Sequence, residues 1–96
     1  MINTLKVTNQ STIVQSQKQL VSDMDGEKVM LSITNGKYYN LGDIGGDIWE
    51  LLERPILVKE LVTTLLSKYE VDHAECEIQV IDFIQDLLKE GLVKFI

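Results

Sequence analysis

Few side chains in this 96-residue sequence have the type and spacing that chemistry requires. The only histidine, His73, and the only cysteine, Cys76, are three residues apart and would share one face of a helix. A nucleophilic cysteine also needs an orienting third group and a cleft, and zinc needs further ligands. Neither signature accompanies this pair, so a histidine at a helix start and a buried small thiol are the favoured interpretation.

Two other clusters have simpler explanations than catalysis or cofactor binding. Gly42, Gly45 and Gly46 match neither G-x-G-x-x-G nor the longer phosphate loop with its lysine, and they indicate a tight strand-to-helix joint. Asp43 and Asp47 resemble a carboxylate pair, but a helix cap and a solvated face account for them. We therefore expect no catalytic residue, no cofactor and no metal site, and a binding protein rather than an enzyme.

The composition predicts one folded, soluble domain over residues 1–96. It is 45% hydrophobic and 25% charged with a single proline, which is typical of a globular protein. Fifteen acidic and nine basic residues give a net charge of −6, which disfavours nucleic acid and anionic membranes as partners. One cysteine and no signal-peptide pattern indicate the cytoplasm, and the apolar runs are too short to span a bilayer.

The first half of the chain alternates as strands do. Residues 1–11 leave two alternatives open, a flexible start or a weak first strand. Beyond them the pattern predicts a three-stranded antiparallel meander with tight turns. Its strands are 12–24, 27–33 and Lys37–Leu41, and its turns are Asp25-Gly26 and Asn35-Gly36.

After Gly42 the apolar spacing becomes helical, and it predicts three helices. The first ends at Arg54-Pro55, the second spans about 58–69, and the third runs from a cap at Asp72 to about Gly91. Residues 92–96 form an extended tail that can be a last strand. The fold class is therefore α+β, a small winged helix-turn-helix with a three-stranded antiparallel sheet followed by three helices.

A helix-turn-helix layout raises the alternative of a transcriptional regulator that binds DNA. The third helix argues against it, because a recognition helix must approach phosphates. It carries one lysine, Lys89, against six acids: Asp72, Glu75, Glu77, Asp82, Asp86 and Glu90. A structural subunit remains a weaker third hypothesis.

The same helix is apolar on more than one side. A core stripe is predicted for Ile78, Ile81, Ile84, Leu88 and Leu92, and a second stripe for Val80, Phe83 and Leu87. Two alternatives stay open: the domain buries both stripes, or the second stripe lines a groove. The strand Lys37–Leu41 is the edge of the meander, with Tyr39 and Leu41 on the core face and Tyr38 and Asn40 opposite. An edge strand beside an apolar helix is a site for an added peptide strand.

The sequence resembles the PqqD-like proteins, which recognise the precursors of ribosomally made, post-translationally modified peptides. The resemblance covers about residues 20–93 and is nearest to the free-standing leader-binding partner of the split leader peptidase in lasso-peptide pathways. It rests on an ordered set of runs: DGEKVML (25–31), YNLGxIGxxIWELL (39–52), VxELV (58–62), KY (68–69) and VIDFIQDLxxxGLV (80–93).

The resemblance implies a protein that binds the N-terminal leader of a precursor peptide as an added strand. It also implies delivery of that leader to a cysteine-protease leader peptidase and to the lasso cyclase. The implied strand positions are Lys37, Tyr38, Tyr39 and Asn40 beside Leu41, and the implied helix positions are Val80, Phe83, Ile84 and Leu87. Acids that would meet basic leader residues are Glu75, Asp82 and Asp86.

One position departs from the family pattern. Relatives usually open the second helix with serine or threonine, whereas this sequence has Leu57 there. Losing such a cap costs about 0.5–2 kcal/mol. We therefore expect Leu57 to offer an apolar contact to a partner instead.

Overall fold

The computed structural model describes residues 6–16, 20–24, 27–32 and 36–96. The described chain forms two three-stranded antiparallel sheets and three helices. In chain order the elements are β1 (Thr12–Gln15), β2 (Leu20–Met24), β3 (Glu27–Ser32), β4 (Lys37–Leu41), α1 (Gly42–Leu51), β5 (Ile56–Leu57), α2 (Val58–Lys68), α3 (His73–Lys89) and β6 (Val93–Phe95). The predicted turn at Asp25-Gly26 lies outside the described residues, and so does Asn35 of the second turn.

The predicted meander followed by three helices is confirmed, with strand order β2-β3-β4. The expectation of a single first strand over 12–24 is wrong. Its first part, β1, lies between β5 and β6 in a second sheet, where Ile13 faces Ile56 on one side and Phe95 on the other. These partners are distant in the sequence, so no local pattern predicts that residues 12–24 form two strands in different sheets.

The ends of α3 follow the sequence prediction closely. Asp72 caps the start by accepting a hydrogen bond from the Glu75 amide at 3.1 Å. At the other end Gly91 has φ +74°, and the Leu92 amide donates to the Leu87 carbonyl at 2.9 Å. This Schellman arrangement fixes where the helix stops.

The start of α1 differs from the prediction. Asp43 lies in the first turn, where it favours the helix dipole, but no side chain caps the helix. Asn40 instead accepts a hydrogen bond from the Gly42 amide at 3.0 Å, just before the turn at Gly42, whose φ is +69°. The joint between β4 and α1 is therefore stabilised by a side chain of the strand, Asn40, and not by a cap from the helix.

The chain start supplies the cap that α2 lacks in its own sequence. The carbonyl of Ser11 accepts from the Val58 amide at 2.9 Å, and that of Asn9 accepts from the Lys59 amide at 3.0 Å. Leu57 lies in β5, paired with Thr12. Two amides of the first turn are thereby satisfied by backbone, which explains how Leu57 is tolerated at the cap position without invoking a partner.

A polar cluster joins α1 to the end of α2. The Tyr69 phenol donates to the Asp47 carboxylate, and Lys68 Nζ lies 3.0 Å from the same carboxylate oxygen. Partial burial opposes ionisation of Asp47, but the hydrogen bonds from Tyr69 and Lys68 outweigh it and lower the pKa of Asp47. The hydrogen bond to Asp47 raises the pKa of Tyr69 to about 12.

This cluster predicts a loss of stability at high pH. The pKa of Tyr69 in the folded protein lies above the value of about 10 in unfolded chains. The hydrogen bond from Tyr69 to Asp47 therefore contributes its full share to the free energy of unfolding below pH 10, and this share is lost as the pH rises towards 12. We expect Tyr69→Phe to destabilise the protein below pH 10, and the difference from wild type to shrink between pH 10 and 12. Urea unfolding of both proteins at several pH values measures this difference; a pH-independent difference would contradict it.

Candidate functional site

One edge of β4 has no strand partner within the described part of the chain. β4 pairs with β3, from Lys37 opposite Ser32 to Asn40 opposite Val29, and it is the last strand of its sheet. No proline interrupts it, and its only charged residue is Lys37 at its start. β4 therefore lacks a proline and a charge in its middle, two features that often protect an edge strand against strand addition.

The two adjacent tyrosines point to opposite faces of β4, as the alternation predicts. Tyr39 shares the inner face with the buried Leu41 and is half-buried, whereas Tyr38 is 76% exposed on the outer face. The Tyr39 phenol donates to Glu90 Oε1 at 3.0 Å, and Lys37 Nζ lies 3.6 Å from that oxygen. The inner face of β4 is thus turned towards α3.

An apolar cleft of about 220 Å³ lies beyond the Leu41 end of β4, between α1 and α3. A Cβ placed on Gly45 would lie 3.3 Å from Phe83 Cζ, so a glycine here lets the Phe83 ring rest against α1. Two exposed apolar side chains, Ile44 and Val71, add to the cleft. The full lining is Leu41, Ile44, Gly45, Ile48, Val71, Glu75, Cys76, Gln79, Val80 and Phe83. The cleft can hold one medium-sized apolar side chain.

The buried line of α3 mixes the two stripes predicted from the sequence. It consists of Cys76, Val80, Ile84 and Leu87. The prediction of Ile78 as core is wrong, because its side chain is 60% exposed, while Ile81 and Leu88 are only partly buried. Packing against α2 selects this line, since spacing defines a helix's faces but not which one a neighbour covers.

The candidate binding residues on α3 therefore separate into two groups. Phe83 is half-buried and lines the cleft. Val80 lines the cleft too but is almost fully buried, and Ile84 and Leu87 lie within the core. The structure thus brings Phe83, and the surface of Val80, to the site and leaves Ile84 and Leu87 beneath it.

The acids predicted to meet a ligand lie along the exposed side of α3. Glu75 lines the cleft, and Asp82 and Asp86 are exposed. Asp86 follows Phe83 by three residues, so it continues the same side of the helix towards Glu90. One flank of the site is therefore negatively charged.

Six residues that line the cleft were not predicted from the sequence as site residues: Ile44, Gly45, Ile48, Val71, Cys76 and Gln79. Gly45 offered a signal, because a glycine inside a helix marks a close approach by another group. Cys76 lines the cleft, but burial raises the pKa of its thiol, which disfavours the nucleophilic thiolate. Among the described residues, no group of three or more His, Cys, Asp or Glu side chains is placed to hold a metal ion. None of the described helices has the length and apolar character to cross a membrane.

The outer face of the sheet carries an apolar row that was not predicted. Leu20 pairs with Leu31, and Leu31 pairs with Tyr38, so their side chains lie side by side across three strands. Leu20 is 59% exposed and Leu31 43%. We call these three residues the outer row. Its Tyr38 lies on β4, so the row reaches the same free edge.

Comparison with known proteins adds two findings. The family model for coenzyme PQQ synthesis protein D (PqqD) matches residues 27–93. The solved structure of TbiB1 in complex with the TbiA(beta) leader peptide is similar to this chain, with a TM-score of 0.68 and 27% sequence identity over 94% of this chain and 95% of TbiB1. A comparison with curated proteins gives no match.

Proposed function

The chain belongs to the PqqD family, and we propose that it binds the N-terminal leader of a ribosomally made precursor peptide, a lasso-peptide precursor, as an added strand on the free edge of β4. One observation carries this proposal. The free edge of β4 leads, at its Leu41 end, to an apolar cleft between α1 and α3, in a fold shared over 94% of the chain with TbiB1, which was solved with a leader peptide.

Strand addition divides the recognition between backbone and side chains. Hydrogen bonds from the β4 edge hold the leader backbone and are indifferent to its sequence. Every second leader side chain then points towards α3, where the cleft beside Phe83 accepts an apolar group. Asp82 and Asp86 on the neighbouring side of α3 suit basic leader residues.

The remaining leader side chains point outwards and extend the outer row by one strand. An exposed apolar row rimmed by polar residues is a typical protein interaction surface. We assign this surface to the cysteine-protease leader peptidase, which would contact the domain and the leader together. Release of the leader then passes the precursor on to the lasso cyclase. In this scheme the domain itself performs no chemistry.

A titration tests the binding step. The probes are fluorescein-labelled synthetic peptides, one with the TbiA(beta) leader sequence and one with the leader of the precursor that accompanies this protein. We expect saturable binding of a leader and none of a labelled DNA duplex, because α3 is acidic. Affinity should fall only modestly as salt rises, since screening weakens exposed charge pairs more than buried contacts. Binding of the duplex but of neither leader would contradict the proposal.

Backbone pairing is best tested from the peptide side. The Asn40 side chain donates to Glu27 at 2.7 Å and accepts from the Gly42 amide, so changing Asn40 would disturb the strand-to-helix joint as well. N-methylation of successive leader amides leaves the protein untouched. A two-residue period in the loss of affinity supports strand addition, because alternate amides face the edge.

A further inference from the structure

We propose that Glu90 is a positioning residue for leader binding, holding β4 at a set distance from the end of α3 before the leader arrives. The Glu90 carboxylate does so through Tyr39 and Lys37 of β4. We call this three-residue contact the latch. The inference rests on the proposed function, because it concerns the spacing of the same site.

The two contacts of the latch have unequal strength. The Tyr39 phenol donates to Glu90 Oε1 at 3.0 Å, and Tyr39 is half-buried. Lys37 Nζ lies 3.6 Å from that oxygen, and its side chain is largely exposed. A hydrogen bond to a charged acceptor is stronger than a solvated ion pair of this kind. Most of the latch therefore depends on Tyr39 and Glu90, which are 51 residues apart in the sequence.

The position of Glu90 in its helix is locally unfavourable. It is the C-cap of α3, where the negative end of the helix dipole disfavours an acid. The Schellman turn around Gly91 fixes this end of the helix, so the carboxylate is presented from a defined place. The Tyr39 phenol and the Lys37 ammonium group of β4 compensate for this unfavourable interaction with the helix dipole. A local rule broken in favour of a tertiary contact is typical of a functional position.

The latch acts on the geometry that strand addition needs. An added strand must lie about 4.8 Å from β4 while its side chains reach α3, so the two walls must be correctly spaced. A domain that already holds β4 and α3 at this spacing loses less conformational entropy when the leader binds. Loss of the latch should therefore weaken leader binding even though Glu90 need not touch the leader.

A double-mutant cycle tests this with the labelled leader that wild type binds. We expect Tyr39→Phe and Glu90→Leu each to raise Kd about three- to tenfold. The Kd of the double variant should not exceed that of the single variant with the higher Kd. Glu90→Gln should keep most of the affinity, because its amide oxygen still accepts from the phenol. Glu60→Leu, the same kind of change at an exposed acid of α2, is the matched control and should bind as wild type does.

Hydrogen exchange of the β4 amides without leader provides a second measurement. We expect faster exchange in Tyr39→Phe and Glu90→Leu, and near wild-type exchange in Glu90→Gln. Wild-type Kd in folded variants, unchanged exchange, or additive effects in the double variant would overturn the latch. Additivity would mean that Tyr39 contacts the leader independently of Glu90. Failure of wild type to bind either leader would instead overturn the proposed function.

Discussion

Replacing Phe83 by alanine is expected to raise the Kd for the leader roughly thirtyfold, the loss typical of an aromatic residue at the centre of an interface. The ring rests against Gly45 and forms one wall of the apolar cleft, so its removal takes away the surface that an apolar leader side chain would contact. Because Phe83 is only half-buried, the loss of stability should stay below the ~3–5 kcal/mol of a fully buried phenylalanine. Leader titrations and thermal melts on the same samples measure both effects.

Leu88→Ala is the matched control for Phe83. Leu88 is also partly buried on α3 but does not line the cleft, so its truncation should lower the melting temperature and leave the leader Kd within about twofold of wild type. Val80→Ala should mainly destabilise the fold, because Val80 is almost fully buried. A folded Phe83→Ala protein that binds the leader as wild type does would exclude Phe83 from the binding site.

Replacing both Leu31 and Tyr38 of the outer row by serine is expected to lower the rate of leader cleavage by the leader peptidase tenfold or more. The leader Kd should rise only about two- to threefold, because Tyr38 would neighbour the outward-facing leader side chains while the cleft stays intact. The outer row faces away from the cleft, so its removal separates delivery from binding. The measurement is the initial rate of leader cleavage with the peptidase in excess, alongside the binding titration.

Ile78→Ser controls for loss of an exposed apolar side chain. Ile78 is 60% exposed, comparable to Leu20, but lies on α3 away from the outer row. It should leave cleavage unchanged. Normal cleavage supported by the Leu31 and Tyr38 double variant would place the peptidase on another surface, and a parallel loss of leader binding would show that the outer row serves binding itself.

Several elements of this protein were readable from short stretches of sequence. The cap at Asp72 and the glycine stop at Gly91 predicted α3 to within two residues, because both signals act within one helical turn. The alternation in β4 placed Tyr39 with Leu41 and Tyr38 opposite. Such features depend on neighbours close in the chain, and their geometry leaves few alternatives.

Other features were predicted only as a choice between alternatives. The two stripes of α3 were both visible, but neither was the one that is buried, since the core line takes Val80 and Leu87 from one stripe and Ile84 from the other. Ile78 fitted the spacing and is exposed all the same. Helical periodicity defines angles around one axis, whereas burial depends on where α1 and α2 lie against it.

By itself, the sequence determined the three-stranded meander followed by three helices, the ends of α3, the place of β4 at the edge of its sheet and the family resemblance. Tertiary structure alone decided that 12–24 divides between two sheets and that the start of the chain caps α2. It also brought Tyr39 to Glu90 and aligned the outer row. The physical reason is range: caps, turns and alternation are set by residues within one or two turns, whereas sheet partners and groove walls are set by contacts between distant segments that no local pattern encodes.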